Sequence, residues 1–163
     1  MSGNPLNAEI AEKYGNRVRI RVCGLCWKAN KLLMVNHRAL SKGNFWAPPG
    51  GGVDFGQSAT EALAREFQEE TSLRIKPGEF LFACEFISPP LHAIELFFNV
   101  NDAVGNPSAG MDPESSPEMQ IIQNVAYLDF NTILTMPPEE RHGVFRLAQT
   151  VGDLKKLNGF YRI

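Results

Sequence analysis

The chain has 163 residues, 44% of them apolar, which suits one globular domain with a substantial core. Sixteen basic and 18 acidic side chains leave a net charge of −2, so no global field draws it to nucleic acid or anionic lipid. Neither FLFACEFI nor AIELFFNV approaches the ~20 residues that span a bilayer, and the opening MSGNPLNAEIAEKYGNRVRIRV lacks an apolar signal core, so a soluble, cytoplasmic protein with no membrane partner is expected.

Residues 5–14 predict a short helix, a possible N-terminal extension over 1–16, because Leu6, Ile10 and Tyr14 share one face. Alternating apolar and β-branched residues predict strands at 18–27 and 31–37, joined by a Lys28-Ala29-Asn30 hairpin turn. Cys23 and Cys26 lie in the first of these. A dithiol or half of a zinc site would need both on one side, but residues three apart in a strand point to opposite faces, so both are expected as reduced core thiols. The run Pro48-Pro49-Gly50-Gly51-Gly52 reads as a loop that lets backbone approach a ligand closely.

A helix follows, from an N-cap at Ser58, with Glu61 three residues on as a capping box requires, to about Ser72. Strands are expected at 80–87 and 91–100, paired antiparallel. Residues 101–117 read as a long surface loop, 121–128 as another strand, and helical spacing returns after Pro137-Pro138 with Val144, Leu147, Ala148 and Val151 on one face. The chain closes on a short segment, 160–163. Strands interrupted by separated helices predict an α/β or α+β layered domain around a mixed sheet.

The helix carries Arg65-Glu66-Phe67-Gln68-Glu69-Glu70-Thr71. At ~100° per residue Glu66, Glu69 and Glu70 fall within a sector roughly 100° wide that borders the apolar stripe of Leu63 and Phe67. Glu61, Arg65 and Gln68 point the other way, where Glu61 and Arg65 are spaced to pair. Three carboxylates near a helix C-terminus oppose its dipole, so the pattern is either a solvated acidic face or a ligand set for a hard divalent cation, Mg²⁺ or Mn²⁺. The adjacent glycine run favours the second.

The order of residues resembles the Nudix box: Gly51, five residues, Gln57, seven residues, then Arg65 to Leu73, with seven of nine specified positions matched over 23 residues. The departures are Gln57 for Glu and Ser72 for Gly. Leu32 to Val35 and Phe45 to Gly50 also look like the segments that precede the box. The resemblance implies an α/β/α sandwich over residues 1–163 and Mg²⁺-dependent hydrolysis of the pyrophosphate bridge in a nucleoside diphosphate linked to X. It also implies Glu66, Glu69 and Glu70 as metal ligands with the Gly50 carbonyl, Arg65 orienting them, and Glu118, with Glu114 as rival, as a base or further ligand. Arg38 is a candidate for substrate phosphate and Trp46 or Phe45 for a base, while His37, His92 and His142 show no spacing that unites them. A homodimer is expected by the same analogy. Gln57 and Ser72 leave open a second reading, a Nudix-like module that binds or senses a nucleotide without cleaving it. A third, a structural interaction domain, would treat the box as coincidence.

Overall fold

The computed structural model describes residues 5–37, 43–110 and 122–163. In chain order these form helix α1 (Pro5–Tyr14), strands β1 (Arg17–Lys28), β2 (Lys31–His37), β3 (Trp46–Ala47) and β4 (Gly50–Gly52), helix α2 (Ala59–Thr71), strands β5 (Arg74–Ser88), β6 (Leu91–Val104) and β7 (Ile122–Asp129), helices α3 (Phe130–Thr135) and α4 (Val151–Lys156), and strand β8 (Gly159–Arg162). No helix among the described residues is long and apolar enough to cross a membrane.

The strands make one mixed sheet in the order β3-β2-β1-β6-β5-β8, with β4 paired to β1 and β7 to β2. β1 runs parallel to β6 from Arg17↔Leu91 to Cys26↔Val100, and β5 runs parallel to β8, whereas the other pairs are antiparallel. The expected α+β sandwich is what forms. Alternation along β1 splits the core. Val22 and Cys26 join Leu33, Val35, Leu63 and Phe67 beneath α2, while Cys23 and Leu25 join Met34, Phe82, Phe97, Phe145 and Leu154 on the other side. The two thiols therefore face opposite layers, both buried and free.

Gly24 sets how closely α2 lies on β1. A Cβ there would overlap the Phe67 ring and lie 2.9 Å from Val100 Cγ2, so the missing side chain lets the helix seat directly on the strand.

Four expectations needed correction. The glycine run is not a loop throughout, because Gly50–Gly52 pairs with Arg21–Cys23 as β4. β5 begins at Arg74, since register shifts around Pro77 absorb the apparent break. β6 continues to Val104, because Ala103 pairs with Ile75 and both pack beneath α2. The helix expected across Val144 to Val151 is instead a 3₁₀ turn, Gly143–Arg146, followed by α4. Its apolar residues do bury, but His142 closes the turn by accepting the Val144 amide, and Thr150 starts a new helix through its own capping box with Asp153. α3 is not foreshadowed by any apolar spacing; Asp129 caps it by accepting the Asn131 amide.

Candidate active site

Helix α2 is built as its sequence requires. Ser58 Oγ accepts the Glu61 amide at 3.3 Å and Glu61 Oε2 accepts the Ser58 amide at 2.9 Å. The far end closes on Ser72 in the left-handed region, φ 60°, where its N–H reaches Gln68 O. Ser72 Oγ also accepts from Ser108 Oγ at 3.0 Å, and the Ser108 and Gly110 amides donate to the Thr71 and Glu70 carbonyls. The described part of the long loop thus satisfies carbonyls that a helix end leaves open.

The three box carboxylates lie in graded surroundings. Glu70 is buried; its Oε2 accepts the Gly50 amide at 2.9 Å, and its Oε1 lies 3.9 Å from His37 Nε2. Burial pushes the Glu70 carboxyl up to about 8, with the Gly50 bond opposing and Glu66 and Glu69 adding to the rise. Burial also raises Glu66, against the pull of Arg65, and a Cβ on Gly51 would fall inside the Glu66 carboxyl. Glu69 is half-buried at the rim.

Arg65 does not pair with Glu61 on the outer face. Its Nη1 donates to Glu66 Oε1 at 2.9 Å and Glu69 Oε2 at 3.1 Å, and its Nη2 donates to Gly52 O at 2.9 Å and Gln57 Oε1 at 3.3 Å. Asp54 lies 3.5 Å away. Helical spacing misassigned this side chain because a long guanidinium can swing from the flank of the helix to the carboxylates and to β4. Gln57, the first departure from the box, still binds the arginine.

The donors fit a hard divalent cation. Glu66, Glu69 and Glu70 supply oxygens of three burial grades, two of the carboxyls raised by confinement, beside a glycine strand that admits close approach. Among the described residues no three His, Cys, Asp or Glu side chains already converge into a coordination set, since Arg65 occupies an oxygen of Glu66 and one of Glu69. Gly50 contributes to the described site through its amide.

Behind β4 lies a network that sequence spacing does not reveal. Arg21 Nε donates to Glu95 Oε1 at 3.2 Å, and His142 Nε2 sits 2.9 Å from Glu95 Oε2. His142 Nδ1 accepts the Val144 amide, which leaves the proton on Nε2, facing the carboxylate. That contact is short but lacks the alignment of a hydrogen bond. Burial pushes the Glu95 carboxyl up, yet His142 and Arg21 outweigh it and hold the group down at about 2. His37, lowered by burial to about 4, completes the surroundings. Each histidine meets a different carboxylate: His37 lies by Glu70, His142 by Glu95, and His92 3.0 Å from Glu85. The legible signal was Glu95 itself, a lone acid in the apolar run AIELFF.

Trp46 is half-buried against the core layer that holds Phe97 and Phe145, and its carbonyl accepts the His142 amide at 2.9 Å. Phe45 lies 6.4 Å from the His142 ring. Arg38, Glu114 and Glu118 fall outside the described residues.

The Xenopus laevis m7GpppN-mRNA hydrolase NUDT17 is 40% identical over 85 residues, 49% of this chain and 29% of that protein. Its Danio rerio counterpart is 34% identical over 93 residues, 53% of this chain and 31% of that protein, so the chain spans about a third of these relatives' length. The ADP-ribose pyrophosphatase of Methanocaldococcus jannaschii is 28% identical over 114 residues, covering 69% of this chain and 67% of that one. Among solved structures, the MutT NUDIX hydrolase from Burkholderia pseudomallei superimposes with TM-score 0.68 at 16% identity, over 87% of this chain and 99% of that one. A NUDIX hydrolase from Nitrosomonas europaea gives 0.65 at 17%, over 80% and 84%; at such identities the likeness concerns the fold alone. The NUDIX domain profile matches residues 15–147, which takes in β1, the glycine strand, the box helix and His142, and the chain belongs to the Nudix hydrolase family.

Proposed function

We propose that the chain is a divalent-metal-dependent pyrophosphohydrolase that cleaves the phosphoric anhydride of a nucleoside diphosphate linked to a further group. The observation that carries this reading is the seating of Glu66 and Glu70 against Gly50 and Gly51, with Arg65 tying Glu66 and Glu69 to β4. Both kinds of named relative, an mRNA cap hydrolase and an ADP-ribose pyrophosphatase, are hydrolases of nucleotide-type compounds.

Glu66, Glu69 and Glu70 would hold Mg²⁺ or Mn²⁺. When bound, such an ion neutralises phosphate oxygens and lowers the pKa of coordinated water. The chain's own part is positional, as phosphoryl transfer demands alignment and charge neutralisation more than a protein nucleophile. Arg65 keeps Glu66 and Glu69 on one side of the helix despite their repulsion, and the Gly50 amide aims Glu70 at the same edge. Gln57 retains the bond to Arg65, and Ser72 occupies the left-handed helix end that its family counterpart glycine suits, so neither departure dismantles the box. That removes the main support for a pure binding module.

The test is hydrolysis of a panel holding ADP-ribose, a capped dinucleotide, nucleoside triphosphates, nucleotide sugars and coenzyme A, first with Mg²⁺ and then with Mn²⁺, beside Glu70→Gln. Nucleoside monophosphate release that the substitution abolishes is the expected result. Retained nucleotide binding with no turnover by the parent protein would replace hydrolase with sensor.

A further inference from the structure

We propose that Arg21 is a phosphate-binding residue of this site, preorganised by Glu95 and His142 behind it; the inference rests on the pyrophosphate reading above. β1 and β6 run parallel with Arg21 and Glu95 as register partners, so the two side chains emerge side by side on one face of the sheet. The guanidinium meets Glu95 through Nε alone, and among the described residues Glu95 is its one hydrogen-bond or ion-pair partner. Among the described residues nothing bonds its two terminal nitrogens, and the side chain is 28% exposed. A fork held at its neck with both tines free is the shape that binds two oxygens of one phosphate.

Arg21 pairs across to Gly52 of β4, the short strand whose Gly50 and Gly51 meet Glu70 and Glu66. His142 Nε2 lies 2.9 Å from the other oxygen of Glu95. The same contact stops Glu95 from turning, so Arg21 presents one pose before ligand arrives, which spares ordering entropy on binding. A buried pair serving stability alone would use more of the guanidinium's five donors.

The probe is inorganic pyrophosphate, titrated calorimetrically with and without Mg²⁺ into wild type, Arg21→Lys, Arg21→Gln, Glu95→Gln and the Arg21→Gln/Glu95→Gln double variant, each checked for folding by circular dichroism. Arg21→Gln should weaken binding about tenfold or more, and Arg21→Lys, which keeps charge but loses the fork, by a lesser factor of about three. Glu95→Gln should weaken binding only while Arg21 is present, the coupling expected of a positioning residue and not of a general loss of structure. Wild-type affinity in folded Arg21→Lys and Arg21→Gln, or no pyrophosphate binding by wild type at millimolar concentration, overturns the proposal. Arg21-dependent binding by a protein that cleaves nothing in the panel would instead overturn the hydrolase reading and leave this one standing.

Discussion

Glu95 is a buried carboxylate held ionised by its neighbours, and replacing it with glutamine at several pH values measures how much the network holds. The side chain is 5% exposed, with its carboxyl held at about 2 against an ordinary value of 4.5. Because the folded value lies below the unfolded one, the unfolded chain binds the proton more readily. The contribution is complete above about pH 4.5 and drains away as pH falls towards about 2. At ~1.4 kcal/mol per pH unit the full amount is about 3 kcal/mol, of which roughly 2 is gone by pH 3. Urea unfolding of wild type and Glu95→Gln should therefore differ by about 3 kcal/mol at pH 7 and by about 1 at pH 3. A gap of equal size at both pH values would refute the assignment of charge stabilisation to Arg21 and His142.

Gly51→Ala forces the Glu66 carboxyl to move while leaving the backbone unstrained, so turnover should fall by about a hundredfold with a melting temperature within a few degrees of wild type. Gly24→Ala meets the Phe67 ring inside the core and should cost about 1–3 kcal/mol in chemical unfolding, with activity reduced as α2 lifts from β1. Gln57→Glu would strengthen the 3.3 Å bond to Arg65 by charge; a rise in turnover of up to about fivefold with unchanged substrate preference is expected, and an identical rate would show the amide sufficient. Ser72→Gly relieves a left-handed residue at a cost of about 1–2 kcal/mol but loses the Ser108 contact and adds chain entropy, leaving a net gain of about 0.5 kcal/mol; a lower melting temperature would show that the Ser108 clasp dominates.

The box helix was readable to the residue because everything that defines it is local. Ser58 and Glu61 cap one end through contacts three residues apart, Ser72 ends the other, and the carboxylate sector follows from the helical period alone. What failed needed partners distant in sequence. Gly50–Gly52 has no side chain to alternate, so only its pairing with Arg21–Cys23 makes it a strand. The Val144–Val151 spacing was genuine as a burial signal but not as a helix, because hydrophobic period cannot tell a tight turn and a fresh helix from one continuous element.

The same distinction separates the parts of the candidate site. Arg65, Glu66, Glu69 and Glu70 are one turn's worth of chain and declare themselves by spacing. Arg21, Glu95 and His142 span most of the sequence, and their union depends on the parallel register of β1 with β6 and on the turn that brings His142 over the sheet. A lone charge in an apolar strand is the trace such a network leaves in a sequence: AIELFF places Glu95 between Ile94 and Leu96 in an apolar run, whereas the regular alternation of RVRIRV hides Arg21. Burial without a partner would cost Glu95 several kcal/mol, so it implies a basic partner that the sequence alone does not single out. Here the pairing also leaves a surplus. Among the described residues Glu95 engages Arg21 through Nε alone, and the remaining guanidinium donors lie on the strand that pairs with Gly50–Gly52. An acidic helix that would hold cations and a strand that holds out a cation are the two halves required to grip a polyanion from both sides.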